Sequence, residues 1–296
     1  MQGVFLIHTY NTLEQHLLDK AEELRYDVAI FDASDTKEGQ ETIESMAPGH
    51  VRHVENTGHN ITSYFTYFAD HLEAGDLPDL VCLLKGNILG RHCSREYFDQ
   101  VIGNTFFTFL YEERPMRDRY SKATKETLER NGGKDPSEGC IANILTQSWY
   151  IEQNSSWYMR VDTHTSRYFD DYDDVLRFVY KDPVIPKYVL FSPGACYIVP
   201  RDQIALHGPA FYRNLNKLQD YTLTPGFPAE AYIIERMLPV IFTDRSAVNP
   251  WMEDERAFDE KLQEAKESLA RKRQERAEAL ANRTFLDKVK GRLKRL

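Results

Sequence analysis

Cysteine is scarce in this chain. Cys82, Cys93, Cys140 and Cys196 lie far apart, and no two form a C-x-x-C pair. This spacing excludes a zinc ribbon and a disulfide framework, and it points to a reducing compartment, with the cytoplasm as the expected location. Cys82 and Cys196 sit inside apolar runs and read as inert core residues. Long apolar runs are missing too, since nothing approaches the roughly 20 apolar residues of a membrane-spanning helix. The opening MQGVFLIHTY has no basic segment and only a short apolar run, so it reads as a first strand and not as a signal peptide. Positive charge is not in excess: the formal net charge is −9 at pH 7, which argues against nucleic acid as a partner. Also absent are G-x-x-x-x-G-K-[ST], G-x-G-x-x-G, the G-x-S-x-G elbow and any H-E-x-x-H or H-x-x-x-H pair. P-loop chemistry, standard dinucleotide binding, serine or cysteine hydrolysis and helical zinc sites therefore lack support.

What the chain does have is alternation. Gly3–Tyr10, Asp27–Ser34, Val51–Gly58 and Asp79–Gly86 read as strands with buried centres. Between them, Leu13, Leu17, Leu18, Ala21 and Leu24 share a helical face, with Thr12 as its expected N-cap. Ile61, Tyr64, Phe65 and Phe68 mark a second helix over Asn60–Leu72, and Ser94 is placed to cap a third. Strands and helices in this order predict a three-layer, Rossmann-like α/β domain over residues 1–250, with a mostly parallel central sheet. Further on, YVLF and ACYIV read as two short strands around Ser192-Pro193-Gly194, and Arg201 and Asp202 open a helix. Pro228 suits the first turn of another helix that carries Ala231, Ile234, Glu235 and Leu238 on one face.

The middle is irregular. Glu112–Glu138 reads as a surface excursion, either a lid or a plain insertion. Asp170, Asp171, Asp173 and Asp174 crowd together, as a solvated helix start or as a cation or sugar site. From Glu253 the chain turns alanine-rich and charged, predicting a long polar helical extension over 251–296. It ends in FLDKVKGRLKRL, where residues 285–296 set Phe285, Leu286, Val289, Leu293 and Leu296 against five cations. Such a short basic amphipathic helix suits an anionic membrane surface, against the plainer reading of a fraying terminal helix.

If the first four strands are parallel, their carboxyl ends share one rim, where α/β proteins bind ligands. That rim collects His8, Tyr10 and Asn11 from the first strand, Asp32 from the second, and Asn56 and His59 from the third. The fourth adds Lys85, Gly86, Asn87 and Arg91. Cations there suit phosphate, glycines let backbone N–H groups approach an anion, and Asp32 could accept from sugar hydroxyls. A nucleotide-diphosphate sugar fits this combination.

The motif N-T-G-H-N (Asn56–Asn60), an aromatic helix and then L-P-D-L-V-C-L-L-K-G-N (Leu77–Asn87) resemble an uncharacterised family of fungi and bacteria. Its members carry N-x-G-x-E, a helix, and L-P-D before an apolar strand ending in Q-G. F-S-P-G-A-C-Y-I-V-P-R-D-Q-I (Phe191–Ile204) is similar to the strand-turn-strand segment of that family, and to the segment that shapes the acceptor side in GT-A-type nucleotide-sugar glycosyltransferases. A-E-A-Y-I-I-E-R (Ala229–Arg236) resembles the acidic helix that follows there. The resemblance spans residues 1–243 and leaves the tail out.

It implies a glycosyltransferase that moves a sugar from a nucleotide-sugar donor to a glycan or glycolipid acceptor, as in polysaccharide synthesis. Ser192, Gly194 and Arg201 would then stand on the acceptor side. Such enzymes often end the fourth strand in D-x-D, which holds Mn²⁺ or Mg²⁺; here Lys85-Gly86-Asn87 takes that place, and a lysine could neutralise the leaving diphosphate instead. Sugar transfer needs a general base for the acceptor hydroxyl. Glu230, at a helix start, is the first candidate and Asp202 the second; a helix-dipole role is the plain alternative for Glu230. Trp149, Trp157 and Tyr158 could stack on a sugar ring or simply pack. Two other readings stay open: a non-catalytic carbohydrate- or nucleotide-binding module, and an interaction protein working through its charged helix.

Overall fold

The computed structural model describes residues 1–112, 150–154, 166–221 and 228–293; the side chains of 151–153 and 282–293 fall outside that description. Strands β1 (Gly3–Thr9), β2 (Asp27–Asp32), β3 (Val51–His53) and β4 (Leu80–Lys85) are the four expected ones, shortened at their ends. They pair in parallel as β3-β2-β1-β4. Two later strands extend the sheet beyond β4: β8 (Tyr197–Pro200) runs antiparallel to β4 and also to the edge strand β5 (Thr108–Phe109). The six strands stand in the order β3-β2-β1-β4-β8-β5. YVLF does not form a hairpin with β8. It becomes β7 (Tyr188–Phe191) and pairs with β6 (Tyr150–Gln153) in a separate two-stranded ribbon.

Alternation along the strands divides the core in two. Phe5, Ile7, Cys82 and Leu84 face one side, where helices α1 (Gln15–Leu24), α2 (Lys37–Met46) and α4 (Arg95–Val101) supply Leu17, Ile43 and Phe98. Val4, Leu6, Val81 and Leu83 face the other side, against Tyr64, Phe65 and Phe68 of α3 (His59–Ala74). The first two crossovers thus lie on one face and the third on the opposite face. Helix α1 begins at Gln15 with Glu14 in the cap position, not Thr12, and no side chain caps it. The Glu14 N–H instead donates to the Gly86 carbonyl at 2.9 Å, which ties the start of α1 to the end of β4. Helix α2 escapes the apolar pattern because it buries one side chain, Ile43; its cap is legible, with Thr36 Oγ1 accepting from the Gly39 N–H at 3.1 Å. Ser94 caps α4 as expected, accepting from Tyr97 N–H at 3.2 Å.

The second half thickens the α3 face. A short helix, α5 (Tyr172–Val179), precedes β7, and α6 (Arg201–Ile204) and α7 (Pro209–Gln219) follow β8 as two helices where one was expected. Tyr212 of α7 meets Phe65 and Phe68 at ring separations of 5.4 and 5.2 Å. Helix α8 (Ala229–Thr243) is buried along most of its length. A 3-10 turn at Pro250–Glu253 then leads into α9 (Glu255–Leu293). At 1.5 Å per residue its 39 residues reach about 58 Å. Its first third is part of the domain, since Phe258, Leu262 and Leu269 are buried. Residues 270–281 are exposed.

The four crowded aspartates have structural work. Asp171 Oδ1 caps α5 by accepting from Asp174 N–H at 2.8 Å. Asp170 pairs with Arg276 at 2.6 Å, Asp174 with Lys272 at 3.2 Å, and Asp173 accepts from Asn154 at 2.8 Å. The cluster holds α9 against the body, and among the described residues no group of three or more His, Cys, Asp or Glu side chains could hold a metal ion. No helix among those residues is long and apolar enough to cross a membrane. The expected excursion beyond Glu112, with Cys140, Trp149, Trp157 and Tyr158, lies outside the described residues, as do the turn before Pro228 and the side chains of the basic tail.

This division of α9 can be measured. Phe258→Ala removes a fully buried ring and is expected to destabilise the domain by about 3–5 kcal/mol in urea unfolding, while Leu280→Ala, on the exposed part, stays within about 0.5 kcal/mol. Equal effects would mean that the helix does not dock as described.

Candidate functional site

Strand β1 is the point where the strand order reverses, with β2 on one side and β4 on the other. Crevices form beyond the carboxyl ends of such strands because the crossovers leave in opposite directions. In this register His8 of β1 lies beside Lys85 of β4. Both continue the strand positions that face α3, so both side chains reach the start of that helix. A cavity of about 370 Å³ opens there, lined by His8, Tyr10, Asn56, His59, Lys85, Asn87 and Arg91 among others. A second, of about 220 Å³, shares His59, Asn60, Lys85 and Arg91 with it and extends toward Gly194, Tyr232 and Glu235. The two form one rim site with a common cationic wall.

Its charge is unbalanced. Among the described residues, the side chain of neither Lys85 nor Arg91 has an ion-pair or hydrogen-bond partner. Burial pulls the Lys85 ammonium below its ordinary pKa, and Arg91 adds to that pull while Glu235 opposes it. Helix α3 points its N-terminus at the same space, and no side chain caps it. Its first turn therefore adds N–H groups without intrahelical partners and the positive end of a 16-residue dipole. His59 opens the helix with φ at +56°, a conformation uncommon for a residue with a side chain, and its ring meets Tyr232 edge-on at 5.7 Å. Asn56 Oδ1, buried at the cavity wall, has no hydrogen-bond partner among the described residues. His8 is a neutral element: burial, reinforced by Lys85, lowers its pKa to about 3, and its Nδ1 lies 3.0 Å from Ser63 Oγ.

Several residues expected at the site do other things. Gly86 does not offer its N–H to a ligand, because it donates to the His8 carbonyl at 2.9 Å. Its lack of a side chain is a matter of space, since a Cβ there would fall 2.2 Å from the Thr12 carbonyl oxygen. The carboxylate of Asp32 is buried and saturated: it accepts from Thr9 Oγ1 at 2.8 Å and from the Ser34 N–H and hydroxyl at 3.1 and 2.5 Å, and its other oxygen meets His53 at 3.1 Å. It braces the β1 and β2 ends and lines neither cavity. Asn11 turns away from the cavity, binding Asp35 at 2.7 Å and receiving Thr36. Tyr10 also donates to Asp35, at 2.7 Å, although it remains on the cavity edge.

The two expected bases fall outside as well. Glu230 is fully buried and lines neither cavity. One oxygen accepts from the Arg167 and Tyr168 N–H groups at 2.8 Å each, and the other from the Tyr221 hydroxyl at 2.6 Å. Burial raises its pKa despite these donors. Its place is that of a pin between α8 and the segment leading to α5. Asp202 and Arg201 sit at the opposite end of the sheet, because β8 runs antiparallel and Pro200 pairs with Leu80 at the start of β4. Six residues of strand, about 20 Å, separate that end from Lys85. Arg201 is paired there with Asp79 at 2.6 Å. Ser192 is buried without facing the cavity.

Gly194 does belong to the site. It has φ at +93°, and a Cβ there would strike the His92 ring at 2.5 Å. Its N–H donates to Glu235 Oε1 at 2.7 Å, and its carbonyl accepts from Asn60 at 2.9 Å. Glu235 was read from the sequence as one residue of a helical face shared with Ala231, Ile234 and Leu238. In the structure it is the one carboxylate among the described residues lining the two cavities, and its side chain is 20% exposed. Position alone could not single it out from Glu230; only the direction in which α8 lies decides which of the two meets the rim. The donor set does not suit Mn²⁺ or Mg²⁺, which take several oxygen ligands, because one carboxylate faces Lys85, Arg91 and Arg236 here.

No family model matches the chain, and neither the search of curated proteins nor that of solved structures found a match.

Two consequences follow from the charges. An unpaired lysine held in a partly buried wall opposes folding, so Lys85→Met is expected to raise the thermal midpoint; a lower midpoint would mean that Lys85 has a stabilising partner. His8 binds its proton near pH 6.5 when unfolded and near about 3 when folded. The unfolded chain therefore holds more protons between those values, and stability falls as pH drops below 6.5. His8→Asn should remove a slope that approaches about 1.4 kcal/mol per pH unit between about pH 4 and 5.5 and falls to about half of that at pH 6.5, measured by urea unfolding. An unchanged slope would show that His8 is not buried neutral.

Proposed function

We propose that the rim binds the diphosphate of a nucleotide sugar and that the protein is a glycosyltransferase acting on a glycan or glycolipid acceptor. The observation that carries this reading is the pair Lys85 and Arg91, without an ion-pair partner among the described residues, facing the uncapped N-terminus of α3 at the reversal of strand order. Unpaired cations beside an open helix start favour a phosphorylated ligand. Asn56 and Asn87 add amide groups of the kind that hold sugar or ribose hydroxyls. Within an α/β architecture with a mostly parallel mixed sheet, the GT-A likeness is an interpretation of the same residues.

In the transfer step the acceptor oxygen forms a bond to the anomeric carbon as the bond to the diphosphate breaks. The electron pair leaves with the nucleoside diphosphate, whose negative charge Lys85 and Arg91 neutralise. The hydroxyl proton passes to Glu235, which stands across the same cavity and is already oriented by the Gly194 N–H. Gly194 and Tyr232 would border the acceptor. The basic run at 285–296 would hold the enzyme at an anionic membrane face, close to a lipid-linked acceptor; the unbroken course of α9 to Leu293 carries that run on from the domain.

Titration of the purified protein with UDP, GDP, CDP, CMP and dTDP tests the donor site. One nucleotide is expected to raise the melting midpoint by mass action, equally in EDTA, and Lys85→Ala with Arg91→Ala should weaken it at least tenfold. Glu235→Gln should keep nucleotide affinity and lose sugar transfer. If no nucleotide shifts the midpoint, the donor-site reading fails.

A further inference from the structure

On the same side of the sheet, divided from the rim by Arg236, which lines both, α8, β5 and β7 border a cavity of about 580 Å³. Its walls are Phe107 and Phe109 from β5 and the residues just before it, Tyr188 and Leu190 from the ribbon, and Pro239 and Val240 from α8. Arg236, Pro239, Val240 and Thr243 recur at the spacing of one helical face, so a whole stripe of α8 looks into this space. The volume falls within the roughly 300–1,000 Å³ of small-molecule sites, and the mix of apolar walls with few polar groups is what such sites have. Phe106, 39% exposed, stands at its edge.

The polar groups narrow the occupant. Gln203 lines the cavity, its side-chain amide makes no hydrogen bond among the described residues, and its Oε1 is shut off from solvent. Leaving such a group unsatisfied is costly, whereas a ligand carrying one hydrogen-bonding group would satisfy it. Thr243 is already engaged, donating its hydroxyl to the Pro239 carbonyl at 2.6 Å. Arg236 is the one charged side chain among the described residues of the wall. Its guanidinium donates to the Tyr232 carbonyl at 2.9 Å, lies 3.5 Å from Glu235 and stacks 4.6 Å from the Phe191 ring centroid. Its charge is thus met from the rim side, and an anion placed in the cavity would be desolvated for little return.

We propose that this cavity is a second ligand site, distinct from the phosphate-binding rim, and that it takes a neutral, largely apolar molecule with a single hydrogen-bonding group anchored by Gln203. The site stands or falls independently of the transferase reading.

The test uses the full chain and N-phenyl-1-naphthylamine, a neutral apolar fluorophore with one N–H. The expected result is a saturable, one-to-one fluorescence rise. Val240→Trp, which fills the cavity from α8, should weaken it at least tenfold, and Gln203→Leu should weaken it about two- to tenfold, the range of one hydrogen bond. Thr243→Trp fills the same space from one turn further on and serves if Val240→Trp fails to fold by circular dichroism. Decanol should displace the probe at concentrations at which decanoate does not. Absence of saturation, or wild-type affinity in a folded tryptophan variant, overturns the site. Stronger displacement by decanoate overturns the neutral class, and undiminished affinity in Gln203→Leu overturns the anchor.

Discussion

Strand β1 pairs in parallel with β2 on one side and β4 on the other, and the chain reaches these two neighbours by helices on opposite faces. That arrangement leaves a gap beyond the end of β1 between the two crossovers. The gap is kept narrow by close backbone contact: Gly86 donates to His8 and accepts from Glu14, and only a residue without a side chain fits against Thr12 there. The register that sets His8 beside Lys85 follows from the same pairing. Cationic wall, helix start and cavity are all consequences of where β1 ends.

Charge in this protein is distributed by a simple rule. Most carboxylates near the strand ends are already satisfied. Asp32 gathers the hydroxyls of Thr9 and Ser34, Asp35 gathers Tyr10 and Asn11, and Glu230 gathers two backbone N–H groups and a phenol. Among the described residues, the side chains of Lys85 and Arg91 are not. Stability calls for buried charge to be paired, so a fold that supplies partners elsewhere and withholds them from Lys85 retains a local electrostatic deficit. A phosphorylated ligand would remove it.

Helix α8 joins the parts of the α3 face. Its first turn holds Glu230 as a pin, its second brings Glu235 to the rim, and its later stripe walls the apolar cavity. The proline at 239 interrupts the helical hydrogen bonding just after Glu235 and Arg236. Helix α9, by contrast, is anchored by a few apolar residues and by ion pairs to Asp170 and Asp174 at the start of α5, and then runs on as a polar rod.

The amino-acid sequence by itself determined the parallel strands, the aromatic side of α3 and the rim position of Lys85, Asn87, Asn56 and His59. These features are local: strand burial shows as continuous apolar runs, helix faces as a period, and the end of a strand as the residue after the run. Tertiary structure decided everything that depends on direction between distant segments. The reversal of β8 carried Arg201 and Asp202 to the far edge, and the separation of β7 from β8 broke an apparent hairpin. The pitch of α8 turned Glu230 inward and Glu235 toward the cavity. The apolar cavity draws its walls from segments more than 100 residues apart. No local pattern encodes such outcomes, because each is set by which strand edge was free and which face was still uncovered when the chain returned.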